Sequence, residues 1–210
     1  MKLYDYPGAP SPRWVRIFLA EKGVTLEKEM VDLQKGAHMT EEFRKINPNC
    51  TVPVLQIEDG SFISSIDAIN RYIEEKYPEP ALFGHTAEER AHVNNWCHYI
   101  HVNGFLAVAE AMRNSAPFMV GRALTGIHGF EQILALADRG RQRTIYFFED
   151  VNTHLEGRKF MVGDSFSAAD IGVLVVVDFA KGMGRIPLPE GLDNLTRWYK
   201  EISARPSASA

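Results

Sequence analysis

The sequence is poor in the residues and patterns that announce most chemistries. Among 210 residues only Cys50 and Cys97 are cysteines, and neither lies in a C-x-x-C pair or at zinc-ligand spacing. That argues against a disulfide framework or a structural zinc site and points to a reducing, cytoplasmic compartment. Lys and Arg, 23 in all, are outnumbered by 27 Asp and Glu, and no window concentrates the basic residues. A nucleic-acid partner is therefore not expected. The most apolar run, "IGVLVVVDFA", is too short to span a bilayer and holds Asp178, while "MKLYDY" lacks the apolar stretch of a secretory leader. No membrane partner is expected. The chain also lacks GxGxxG, P-loop, GxSxG and HExxH patterns, which removes the usual dinucleotide, nucleotide, esterase and zincin readings. What it has is 45% hydrophobic and 24% charged residues, the balance of a folded globular chain.

Periodicity divides the chain in two. "KLYDY" reads as a strand stopped by "PGAP", and a helix follows with Trp14, Val15, Phe18 and Leu19 on its apolar face and Gly23 beyond its end. "TLEKEMVDL" supplies a second strand and "TEEFRKINP" a short helix starting at Thr40. "VPVLQIEDGSFIS" gives two strands turned at Asp59-Gly60, and "SIDAINRYIEEKYP" a closing helix. The order is β-α-β-α-β-β-α over residues 1–78, then a Pro/Gly linker at 79–85, then an all-helical bundle over 86–210. Thr86 with Glu88 and Glu89 starts a long helix running towards Arg113. A second helical stretch spans Gly121 to Leu155, with Gly126, Gly129 and Gly140 as points of kinking or breakage.

Several residues stand out against bland alternatives. Pro53 interrupts a strand signal, either as a strand-start or edge proline or as a cis proline that turns the Val52 backbone towards a ligand. Ser167 and Asp170 form an S-x-x-D capping box, so Asp170 reads as structural and not as a catalytic acid. Cys97 and His101 are spaced i,i+4, but two ligands do not close a metal site, and no metal is assigned. Ser11 lies where a helix begins. It reads either as a cap or as a hydroxyl beside free N–H groups, where a bound thiol could lose its proton.

Taken together, "SPRWVRIFLAEKG", "NPNCTVPVL", "DGSFISSIDAINRYIEEKYP" and "FMVGDSFSAADI" make the chain resemble a cytosolic glutathione transferase over essentially its full length. The resemblance implies a thioredoxin-like N-terminal domain, a helical C-terminal domain, a homodimer, and glutathione as cosubstrate in detoxifying attack on a hydrophobic electrophilic small molecule. By the same resemblance Pro53 is a cis proline, Val52 pairs with the cysteinyl part of glutathione, Ser65 meets its γ-glutamyl end and His38 its glycyl end. Ile66 stands where a serine is usual, and Cys50 where a glycine is common. Ser11 takes the thiol-activating position in one placement of the motif, Ala9 takes it in another, and Tyr6 lies about one residue from a tyrosine-type site. Trp14, Tyr99, His101 and Asn103 are expected, with Ala9, to wall the electrophile pocket. Alternatives on the same scaffold are a non-catalytic glutathione-binding or interaction module, and a peroxidase, ether-cleaving or isomerase activity.

Overall fold

The computed structural model describes all residues, Met1–Ala210. The chain forms two compact units, one of Met1–Pro80 with Leu124–His128 and Ala210, the other of Ala81–Ala123 with Gly129–Ser209.

The first unit runs β1 (Lys2–Asp5), α1 (Pro10–Glu21), β2 (Glu27–Met30), α2 (Glu41–Ile46), β3 (Val54–Gln56), β4 (Phe62–Ile63) and α3 (Ile66–Lys76). Its sheet has the order β2-β1-β3-β4; β2 is parallel to β1, and the other two pairings are antiparallel. This is the thioredoxin-like arrangement. Side chains alternate across the sheet, so Tyr4 and Val54 share one face, where they pack with Val31 and with Phe43 of α2. Leu3, Asp5 and Leu55 belong to the opposite set. α1 packs against α3 and buries Val15, Ile17 and Phe18 completely. β2 is an exposed edge strand whose Glu27 and Glu29 both pair with Lys2, charge that discourages further strand addition. The end of α1 is anchored by Lys22: its buried ammonium pairs with Glu74 at 2.5 Å and donates to the carbonyls of Pro78 and Pro80.

The second unit is all helical: α4 (Ala87–Tyr99), α5 (Leu106–Arg113), α6 (Leu134–His154), α7 (Ala168–Lys181) and α8 (Asp193–Ser203). Thr86 caps α4 through a reciprocal box with Glu89. Between α4 and α5 the chain continues as a π-helical segment, Ile100–Phe105, whose looser winding frees the Val102 carbonyl to accept from Arg143 at 2.7 Å. α7 is buried on almost every side, as its apolar sequence demands. Asp170, in its first turn, accepts from the Met161 and Ser167 N–H groups, the Ser167 hydroxyl and Trp198 Nε1.

The helix expected from Gly121 starts instead at Leu134. Gly121 and Gly126 take positive φ values of 71° and 109°, and a bridge joins Arg122 to Phe130, so this stretch folds on itself. Asn114 Oδ1 accepts from the Ile133 N–H at 3.0 Å and fixes where α6 begins. Gly140 does not break that helix. A Cβ there would lie 2.5 Å from the Ala111 nitrogen, so glycine is what lets α5 and α6 approach closely.

Candidate functional site

The register of the sheet brings the separate sequence signals of the first unit into one row. Tyr4 pairs with Val54, so Asp5 at the end of β1 and Pro53 just before β3 lie at the same end of this antiparallel pair. Leu55 pairs with Ile63, so Pro53, just before β3, and Ser65, just after β4, lie at the same end of these two strands. The loop after β1, the Val52-Pro53 peptide and the start of α3 therefore meet at the same edge of the sheet.

The Val52-Pro53 bond is cis. Neither the N–H nor the C=O of Val52 enters the turn and loop hydrogen bonds around it, so both remain ladder groups that a ligand's backbone can pair with. The preceding Cys50 is buried with φ of 53°. That left-handed geometry supplies the physical reason a glycine suits this position. Ser65 is the residue before α3, with extended backbone, an exposed side chain and no side-chain capping bond. Ile66 is the first residue of the helix and adds no hydroxyl.

At the start of α1 the structure moves the cap. Ala9, not Ser11, is the N-cap, and it offers no side-chain bond; Pro10 is the first helical residue and Ser11 the second. The Ala9 N–H donates to the Tyr6 carbonyl at 3.0 Å and the Arg13 N–H to the Ala9 carbonyl at 3.3 Å. Pro10 and Pro12 have no N–H at all. Of the whole first turn, then, only half-buried Ser11 has a backbone N–H not already engaged, and it carries a hydroxyl as well. Both lie at the positive end of a 12-residue helix dipole.

Other expected residues fall in different places. Tyr6 is half-buried, its ring against Gly8, where a Cβ would come within 3.1 Å of it. His38 lies half-buried in a short 3-10 turn, Ala37–Met39. Trp14 is 2% exposed and belongs to the core; it presents no pocket wall. In the second unit Tyr99 and Asn103 line one small cleft of about 130 Å³ with Arg143, Tyr146, Phe147 and Asp150. Burial and the Asp150 carboxylate, to which the Tyr99 hydroxyl donates, push the Tyr99 pKa up to about 12. His101 is not part of that cleft and stacks on Phe105 with ring centres 5.7 Å apart. No group of three or more His, Cys, Asp or Glu side chains stands close enough to hold a metal ion, and no helix is long and apolar enough to cross a membrane.

Sequence reasoning missed the buried ion pair of Asp5 and Arg16, 2.6 Å apart. Its signal was present: Asp5 shares strand parity with buried Leu3, so a charge there needs a partner. The shortage of donors in Pro-Ser-Pro was also readable, once the helix start was known.

Comparison with known proteins agrees with this fold. Residues 10–76 match the model of the glutathione S-transferase N-terminal domain, and residues 108–206 that of the C-terminal domain. Glutathione S-transferase 2 of Saccharomyces cerevisiae is 33% identical over 209 residues, covering 99% of this chain and 87% of the relative. Among solved structures, a glutathione S-transferase domain-containing protein of Marinobacter aquaeolei VT8 superposes with a TM-score of 0.91 at 31% identity, covering 99% of both chains. Gtt2 from Saccharomyces cerevisiae gives 0.90 at 31% identity, covering 99% of this chain and 98% of its own. Similarity of this extent, through both units and without large gaps in coverage, means that the chain belongs to the glutathione S-transferase family.

Proposed function

We propose that the protein is a glutathione transferase that binds glutathione along the row formed by Ser11, Val52-Pro53 and Ser65. In this reading the Val52 N–H and C=O pair with the cysteinyl backbone of glutathione. Ser65 meets the γ-glutamyl carboxylate at the start of α3, and His38 reaches the glycyl end. The observation that carries the reading is the single free donor position at the start of α1. Ser11 offers its N–H and its hydroxyl at the positive end of the helix, where an anion is stabilised by about 0.3–1 kcal/mol from the dipole alone. Hydrogen bonds to a charged acceptor add about 1.5–3 kcal/mol each.

The chemistry follows from those donors. Glutathione's thiol, with an ordinary pKa of about 8.5, loses its proton to solvent more readily when the thiolate accepts from Ser11. The sulfur lone pair then forms an S–C bond to a hydrophobic electrophile, and the leaving group departs with the electrons of the bond that breaks. Ser11 donates to sulfur and forms no covalent intermediate. The names of the relatives support the activity, and the homodimer, the cytoplasmic location and the absence of a metal cofactor belong to the same proposal. Ile66 favours a second reading, a glutathione-binding module without turnover, because it removes one anchor for the γ-glutamyl end.

Retention on immobilised glutathione, followed by ultraviolet titration of the bound thiol, tests both. Retention with a thiolate signal near neutral pH is expected for the transferase, and retention without that signal supports the binding module. No retention would sink both readings. Ser11→Ala, which keeps the backbone N–H, should raise the bound thiol pKa by about one unit, a tenfold loss of thiolate; an unchanged value would remove the Ser11 hydroxyl from the mechanism.

A further inference from the structure

The loop from β1 to α1 is closed by two sets of bonds. One is the Ala9 N–H to Tyr6 carbonyl bond at 3.0 Å. The other comes from Arg16, in the second turn of α1, whose Nη1 donates to Asp5 Oδ1 at 2.6 Å and whose Nη2 donates to the Pro7 carbonyl at 3.2 Å. The Arg16 and Asp5 side chains are only 8% and 6% exposed.

A buried ion pair is a weak source of net stability, because desolvation cancels most of the attraction. A planar guanidinium nevertheless holds two acceptors in a fixed relation, which a point charge does not. Here one acceptor is on the last residue of the central strand and the other is in the middle of the loop. The fork thus sets the loop against the strand that defines the row with Pro53 and Ser65. Ser11 lies at the far end of that loop, and its donors are useful only at hydrogen-bond distance from sulfur. Misplacement by about 1 Å can cost about a hundredfold in rate.

We infer that Arg16 is a positioning residue for thiol activation, acting through Asp5 and Pro7 to set where the Ser11 donors stand. The inference rests on the proposed role of Ser11 and adds to it a residue that need not touch glutathione.

The test uses the full chain with Arg16→Lys, which keeps the positive charge and loses the planar fork, and with Asp5→Asn as a second variant. Three quantities are read: the ultraviolet titration of bound glutathione, the Kd for S-methylglutathione, which has no thiol to ionise, and circular dichroism as a check of folding. Arg16→Lys should raise the bound thiol pKa by about one unit, a tenfold loss of thiolate, while the Kd for S-methylglutathione stays within about threefold. Asp5→Asn should also raise it, since a neutral amide oxygen holds Nη1 less firmly than the carboxylate does. If Arg16→Lys fails to fold, the sign of the Asp5→Asn shift decides. A lowered pKa there would mean that Arg16 acts as a bare charge, and an unchanged pKa in the folded variants would mean that the pair only supports the fold; either overturns the inference. A wild type that binds S-methylglutathione but shows no thiolate with glutathione would overturn the Ser11 reading itself, and this inference with it.

Discussion

Asp170 offers the most quantitative test of how this fold is held. Its carboxylate is fully buried and accepts four hydrogen bonds, from Met161 N, Ser167 N, Ser167 Oγ and Trp198 Nε1, all between 2.9 and 3.1 Å. Replacing it by alanine orphans three buried N–H groups at about 1–3 kcal/mol each. Their sum is comparable to the roughly 5–15 kcal/mol that holds a typical domain together, so Asp170→Ala should fail to accumulate as folded protein. Asparagine fills the same space, and its carbonyl can still accept from Met161 and Trp198. Its amide nitrogen then confronts the Ser167 N–H, donor against donor, and the expected cost at neutral pH is roughly 1–3 kcal/mol.

The pH dependence separates this account from a simple count of hydrogen bonds. Burial outweighs the four donors and pushes the Asp170 pKa up from 3.8 to about 6. An acid whose folded pKa exceeds its unfolded value binds its proton more tightly when folded. The stability it contributes is therefore fully present below about pH 4 and lost as pH rises through 6. A shift of this size corresponds to roughly 3 kcal/mol. The asparagine variant has no such titration, so the stability deficit of Asp170→Asn should widen, by roughly 2 kcal/mol, as pH falls from about 7 to about 4.5. Urea unfolding followed by tryptophan fluorescence at the two pH values measures it. A deficit that narrows at low pH would show that the hydrogen bonds outweigh burial, and would refute the reasoning.

Further outcomes follow from the backbone. Ala9→Asp installs a cap that should stabilise the helix by about 1 kcal/mol. Because Pro12 has no N–H, the new carboxylate has only the Ser11 N–H to accept from, so melting temperature and bound thiol pKa should rise together; a stabilised variant with unchanged thiol pKa would contradict the single-donor site. Gly140→Ala, which in an exposed helix gains about 1 kcal/mol, should here lose roughly 2 kcal/mol in denaturant titration, because its Cβ would meet the α5 backbone at 2.5–2.8 Å. Cys50→Gly should stay within about 1 kcal/mol of wild type, relief at φ of 53° offsetting lost burial, whereas Cys50→Val should lose more than about 2 kcal/mol; equal losses would mean that backbone geometry does not govern the position.

What the sequence made legible was local. Thr40, Thr86 and the Ser167/Asp170 box announce helix starts because a cap is decided within four residues. Asp59-Gly60 announces a turn for the same reason, and Gly60 has φ of 87°. Distant backbone decides the rest. Gly140 looks like a helix breaker until α5 is seen against it, and the amphipathic spacing of Trp14 does not say whether its face meets a core or a ligand. The proposed site belongs to this second kind, since the chain segments that carry Pro53 and Ser65 reach the same end of the sheet only through a strand register that no single segment encodes. The alanine at position 9 then acquires a meaning that propensity alone would misjudge. A residue chosen for helix stability would be Asn, Asp or Ser, and it would occupy the one N–H that the first turn leaves free. In the proposed site alanine leaves that donor available to a sulfur anion, while the loop, which has no side-chain cap, is tied by the buried Arg16 fork.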